Sequence, residues 1–150
     1  MPSSYTCLRY HVIFSTKNRV PQIDPSIRDR LHEYVGGIIR DEKGRLIAAG
    51  GTPDHVHFLI STHPQIALSD LLRQVKASSS RWIHETFADL RDFGWQDGYG
   101  AFTVSHSNVG QVTKYIGEQE EHHRRVSFQE EFLEFLRRHD VPYDERYIWR

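Results

Sequence analysis

A chain of 150 residues with 38% hydrophobic and 26% charged side chains has the size and composition of one globular domain spanning 1–150, and is neither collagen-like nor disordered. No apolar run approaches the roughly 20 residues that a bilayer requires, and the start of the chain lacks a charged segment followed by an apolar one, so no membrane span or secretory signal is expected. Cys7 is the only cysteine, which excludes an intrachain disulfide and a thiolate metal cage and makes a reducing cytoplasm the expected location.

The net charge of −1 is unevenly spread: residues 1–84 hold 11 Lys and Arg against 7 Asp and Glu, a balance of +4, and residues 85–150 hold 8 against 13, a balance of −5. Weak overall charge argues against tight non-specific duplex binding and favours a partner held by local contacts.

Leu8 to Phe14 reads as a first strand running into a polar loop, Ser15 to Arg19. Lys17 and Arg19 in that loop are either solvated charges or phosphate contacts. Asp24 followed by Pro25 marks a helix start, and Ile27, Leu31, Tyr34, Val35 and Ile38 recur at helical spacing, predicting a helix to about Arg40. After the turn Asp41 to Gly44, Arg45 to Gly51 reads as a second strand.

The third strand follows Pro53: Asp54-His55-Val56-His57-Phe58-Leu59-Ile60-Ser61. Alternation along a strand sends Val56, Phe58 and Ile60 to one face and His55 and His57 to the other. The pair is either ordinary half-buried strand sequence or two ligands on a rigid support that could share a divalent metal with a third.

Leu68 to Phe87 reads as a long helix with an apolar stripe of Leu68, Leu71, Leu72, Val75, Trp82, Ile83 and Phe87. Its other faces carry Arg73, Lys76, Ser78, Ser79, Ser80 and Arg81, a serine run poorly suited to helix stability; the face is either merely solvated or approaches a phosphate backbone. Gly94 to Ser105 reads as a strand punctuated by glycines, which suggest a bulge or a close backbone approach. From Asn108 a helix carries Val109, Val112 and Ile116 in its core stripe, with Tyr115 and Gln119 four residues apart on its shoulder. A charged run, Glu118 to Arg125, a short amphipathic helix over Phe128 to Arg138 and an aromatic tail expected to pack down complete the chain.

The order βαββαβ followed by helices predicts an α+β fold, the ferredoxin-like split βαβ arrangement, with an antiparallel sheet and C-terminal helices. Two helices on one face leave the other face uncovered, so His55 and His57 are expected to emerge on an open side.

Tyr10 to Arg19, Pro53 to His57, Lys76 to Arg81 and Tyr115-Ile116-Gly117-Glu118-Gln119 stand in an order and spacing that resembles the single-tyrosine HUH transposases of small insertion sequences, a group that includes REP-associated tyrosine transposases. The resemblance covers nearly the whole chain, although the acidic C-terminal segment and aromatic tail fall outside the minimal pattern. It implies that His55, His57 and Gln119 bind a divalent cation, Mg²⁺ or Mn²⁺, and that the C-terminal helix carries Tyr115 as nucleophile.

It also implies cleavage of single-stranded DNA through a 5′-phosphotyrosine link, with hairpin ends as targets, a homodimer whose sites each join the histidine pair of one subunit to the tyrosine helix of the other, and no nucleotide cofactor. A phenol with a pKa of about 10 is a weak nucleophile at neutral pH, consistent with a need for phosphate charge stabilisation and an in-line approach. Lys17, Arg19, Arg73, Lys76 and Arg81 are candidate strand contacts, and His122 is a candidate for proton transfer. Alternatives are a replication-initiator-like nickase using the same site, or a catalytically silent nucleic-acid-binding module of the same fold.

Overall fold

The computed structural model describes residues 3–150. Four strands, β1 (Arg9–Ser15), β2 (Arg45–Thr52), β3 (His55–Ser61) and β4 (Gly100–Thr103), form one antiparallel sheet in the order β2-β3-β1-β4. With α1 (Pro25–Asp41) between β1 and β2, and α2 (Leu68–Thr86) between β3 and β4, this is the expected ferredoxin-like arrangement. Helix α1 begins where the sequence places it: the Asp24 carboxylate accepts from the amides of Ser26 (2.9 Å) and Ile27 (3.2 Å), and Pro25 occupies the first turn. Val12, Phe14, Val56, Phe58 and Ile60 on one sheet face pack with Leu31, Val35, Ile39, Leu72, Val75 and Ile83 of α1 and α2. Burying each such side chain contributes about 1.5–3 kcal/mol, making this layer the main core.

The second face is not open. Helix α3 (Val109–Gly117), the single turn α4 (Gln119–His122) and α5 (Phe128–Arg138) cover it, and Phe128, Phe132 and Leu136 form a second core with Ile13 and Phe102. His55 and His57 are therefore fully buried, contrary to the expectation of an exposed pair. The apolar face of α5 requires a sheet to pack against, and α1 and α2 already occupy the other side.

Three further departures have local causes. Gly94–Ser105 is a loop over most of its length, joined to the sheet by a single bridge between Thr16 and Trp95, and only Gly100–Thr103 is strand. Ser78 and Ser79 are buried rather than solvated: the Ser79 hydroxyl accepts from the Trp95 indole N–H (3.0 Å), so part of the serine run is a packing surface. In the tail, Ile148 and Trp149 join the second core, whereas Tyr143 and Tyr147 stay exposed. Among the described residues, no helix is long and apolar enough to cross a membrane.

Candidate active site

Strand β3 presents His55 and His57 to the space beneath α3–α5, and each ring is held at Nδ1. His55 Nδ1 lies 2.7 Å from Asp54 Oδ1 and 2.9 Å from the Thr52 hydroxyl; His57 Nδ1 lies 2.8 Å from Nε2 of His11 on β1. Asp54 remains ionised: burial alone would raise its pKa, but the hydrogen bond and charge of His55 and the bond from Thr52 more than offset that. With Nδ1 held at this carboxylate, the His55 ring turns Nε2 inward.

Opposite that nitrogen sits an amide oxygen. Helix α3 stops at Gly117, where Glu118 leaves the helical region (φ −105°, ψ 21°), and the chain restarts in α4 with Gln119 turned into the interior, 1% exposed. The Gln119 amide nitrogen donates to the Tyr115 carbonyl (3.3 Å), which aims Oε1 at His55 Nε2, 3.4 Å away. An imidazole nitrogen and an amide oxygen converging on one buried point are ligand types that fit a cation. The ligand atoms of His55, His57, His123 and Glu131 all lie within 4.8 Å of one another, so the residues present suit a divalent ion.

Tyr115 reaches the same cluster from α3. Its ring centroid is 5.9 Å from that of His57, and its hydroxyl donates to Glu131 Oε2 and lies 3.3 Å from His122 Nε2. Burial, reinforced by the Glu131 hydrogen bond and charge, raises the phenol pKa above its ordinary value of 10. What lets α3 approach so closely is Gly50, opposite His57 on β2: a Cβ there would stand 2.0 Å from the Ile116 carbonyl oxygen. A cleft of about 330 Å³, lined by Glu118, Glu121, His122, Arg125 and Val126, opens onto Tyr115.

Sequence reading did not find Glu131, His123 or His11. Glu131 Oε1 accepts from His57 Nε2 (2.8 Å) and His123 Nε2 (3.0 Å). Burial alone would raise the Glu131 pKa, but hydrogen bonds from His123, His57 and Tyr115 hold it well below the usual carboxylate range. Its signal was a carboxylate within the apolar stripe of Phe128, Phe132 and Phe135. His57 and His11 are kept neutral, chiefly by burial, with pKa values lowered to about 4 and about 3.

The five candidate strand contacts lie apart from this cluster. Lys17 and Arg81 are exposed and Arg73 pairs with Asp70 (2.5 Å), whereas Arg19 donates to the Trp149 carbonyl (3.1 Å) and stands over its ring. Lys76 donates to the carbonyls of Gln96 (2.8 Å), Asp97 (3.1 Å) and Gly98 (2.5 Å), and burial lowers its pKa to about 8.

The sequence profile of the family described as "Transposase IS200 like" matches residues 4–119, which include His55, His57, Tyr115 and Gln119. The chain belongs to the IS200-like transposase family. It is similar to the ISDra2 transposase TnpA of Deinococcus radiodurans, 31% identical over 75% of this chain and 84% of that protein. It is also similar to the transposase for insertion sequence element IS200 of Salmonella typhimurium, 29% identical over 74% of this chain and 76% of that one.

Among solved structures, a Deinococcus radiodurans protein assigned as a transposase superposes with a TM-score of 0.66 at 27% identity, over 77% of this chain and 93% of that one. A REP-associated tyrosine transposase bound to a REP hairpin shares the fold, with a TM-score of 0.56 at 17% identity over 77% of this chain and 68% of that one. This IS200-like chain is thus a transposase, and the matched segment ends before α5 and Glu131.

Proposed function

We propose that this transposase is a metal-dependent single-stranded DNA endonuclease and strand transferase that works through a 5′-phosphotyrosine intermediate. The observation that carries the reading is the convergence, within one chain, of the Tyr115 hydroxyl, the inward imidazoles of His55 and His57, and the Gln119 amide oxygen.

In this reading His55, His57 and Gln119 would hold Mg²⁺ or Mn²⁺, which would supply charge stabilisation to the non-bridging oxygens of the scissile phosphate. Tyr115 attacks the phosphorus, a bond to the phenol oxygen forms as the bond to the 3′ oxygen breaks, and a free 3′-OH is released. As it attacks, the phenol turns its O–H from Glu131 to His122, 3.3 Å away, which takes the proton, and the departing 3′ oxygen takes one from water. A 3′-OH later attacks the phosphotyrosine, rejoining DNA at a new junction and returning the proton to Tyr115. The energy of the broken bond is kept in the covalent link, so no nucleotide cofactor is needed.

The exposed cations Lys17, Arg73 and Arg81, with Arg19, contact the strand; Lys76 contributes through the loop it ties down. Hairpin ends as the target are supported by the hairpin bound to the REP-associated relative. Since the four groups meet in one chain, a homodimer would carry two self-contained sites. Cytoplasmic location belongs with this reading.

The test uses labelled single-stranded DNA from the element's flanks with Mn²⁺, run on denaturing gels. The wild type forms a covalent protein–DNA adduct, Tyr115→Phe forms none, and His57→Gln forms none while retaining its circular dichroism spectrum. An adduct that persists in Tyr115→Phe would overturn the assignment.

A further inference from the structure

Glu131 lies 3% exposed on the inner face of α5, between Phe128, Phe132 and Phe135. Among the described residues its ion-pair partners are imidazoles alone: His55 (3.6 Å), His57 (2.8 Å), His122 (3.3 Å) and His123 (3.0 Å). A buried carboxylate without a permanent cation costs several kcal/mol that an apolar residue in the same stripe would avoid. The helix is nevertheless built to deliver it: Ser127 and Glu130 form a capping box that sets where α5 begins and which face Glu131 occupies. Gln119 Oε1 and Glu131 Oε1 then approach His55 Nε2 at 3.4 Å and 3.6 Å, and the other Glu131 oxygen accepts from the Tyr115 hydroxyl.

We propose that Glu131 is a further protein ligand of the divalent cation, with Oε1 on the ion beside His55 and His57 and Oε2 holding the Tyr115 hydroxyl. The inference rests on the metal-dependent reading above and deepens it. One carboxylate spans ion and nucleophile, so the position of the phenol oxygen is tied to that of the cation. The ligand set also gains a hard, anionic oxygen, which favours Mg²⁺ and Mn²⁺ over softer ions that two imidazoles and an amide would accept equally well. The residue comes from a helix outside the matched family segment, so the assignment concerns this chain's own C-terminal region.

Mn²⁺ binding to the full chain, followed by loss of the free-ion electron paramagnetic resonance signal, separates this from the broader reading. The wild type is expected to bind one ion, Glu131→Gln to weaken binding about 10- to 100-fold, and the half-buried control Glu134→Gln, which pairs with Arg137 and Arg138, to stay within about twofold. If Glu131→Gln binds as the wild type does while His57→Gln does not bind, the Glu131 assignment fails and the metal site stands. If the wild type takes up no Mn²⁺, both fail. Should Glu131→Gln not fold, anomalous diffraction from Mn²⁺-soaked wild-type crystals decides. A peak within about 2.5 Å of a Glu131 oxygen supports the ligand, and a peak on the histidines that leaves Glu131 beyond about 3.5 Å overturns it.

Discussion

Nε2 of His11 lies 2.8 Å from Nδ1 of His57, the two rings buried diagonally across β1 and β3. Because Glu131 accepts from His57 Nε2–H in the metal-free chain, His57 Nδ1 there accepts a hydrogen from His11. A cation on Nε2 requires the opposite tautomer, with His57 Nδ1–H donated to His11. His11 can serve in both states because imidazole has a donor and an acceptor.

Replacing His11 by Phe, which keeps the bulk and removes the acceptor, should weaken Mn²⁺ binding about 10- to 100-fold while the metal-free protein stays folded. Calorimetric titration measures the first and thermal melting the second. Unchanged affinity would show that His57 needs no partner at Nδ1.

Acid should destabilise the metal-free protein over a defined window. His11, His32 and His57 have pKa values lowered from 6.5 to about 3, about 4 and about 4, in each case chiefly by burial. The unfolded chain therefore takes up protons below about pH 6.5 that the folded chain refuses. Stability present above pH 6.5 is lost as pH falls towards 4, on the order of 2 kcal/mol for each ring. Below pH 4.5, the ordinary value for its carboxyl, Glu131 adds to the loss, because its folded pKa is also depressed. Urea midpoints measured between pH 7 and pH 4 should fall steadily, and a flat profile would contradict neutral buried imidazoles.

Gly50→Ala should separate nucleophile from ligands without touching either. The added methyl would overlap the Ile116 carbonyl, a backbone atom that yields only if α3 moves away from β2. Adduct formation should fall at least 100-fold, since a displacement of about 1 Å can cost that much. Stability should fall by about 1–3 kcal/mol. Single-turnover assays and urea unfolding would measure the two effects.

Lys76 and its neighbours on α2 should divide by role. Lys76→Met removes an ammonium shared by three carbonyls, so urea unfolding should show a loss of about 1.5–3 kcal/mol. Arg73→Ala and Arg81→Ala, on exposed positions, should leave stability within about 0.5 kcal/mol. Each should reduce the salt dependence of single-strand binding by roughly one phosphate contact.

The sheet and its helices were legible because each rests on local chemistry: the Asp24 cap, the alternation in His55–Ser61 and the amphipathic spacing of Phe128–Arg138 all act within a few residues. The quartet of His55, His57, Tyr115 and Gln119 was legible through spacing and resemblance. The enclosure of the pair was not, because it depends on how α5 partners the sheet, a relation between residues about 75 positions apart. Glu131 and His11 escaped for the same reason. Either residue read in its own segment is a lone polar group in an apolar stretch, and the partner that explains it lies on another element. The break at Glu118, which lets Gln119 turn inward, left as its only trace Gly117 beside the charged run.

The roof that α4 and α5 put over the two buried imidazoles governs traffic as well as chemistry. The imidazoles face no solvent, while Tyr115 and His122 border the cleft, so a scissile phosphate enters past the phenol or waits for this short, loop-linked cover to lift. In the first case cleavage keeps pace with strand binding; in the second it keeps the time of a local opening, and the rate stops rising with DNA concentration.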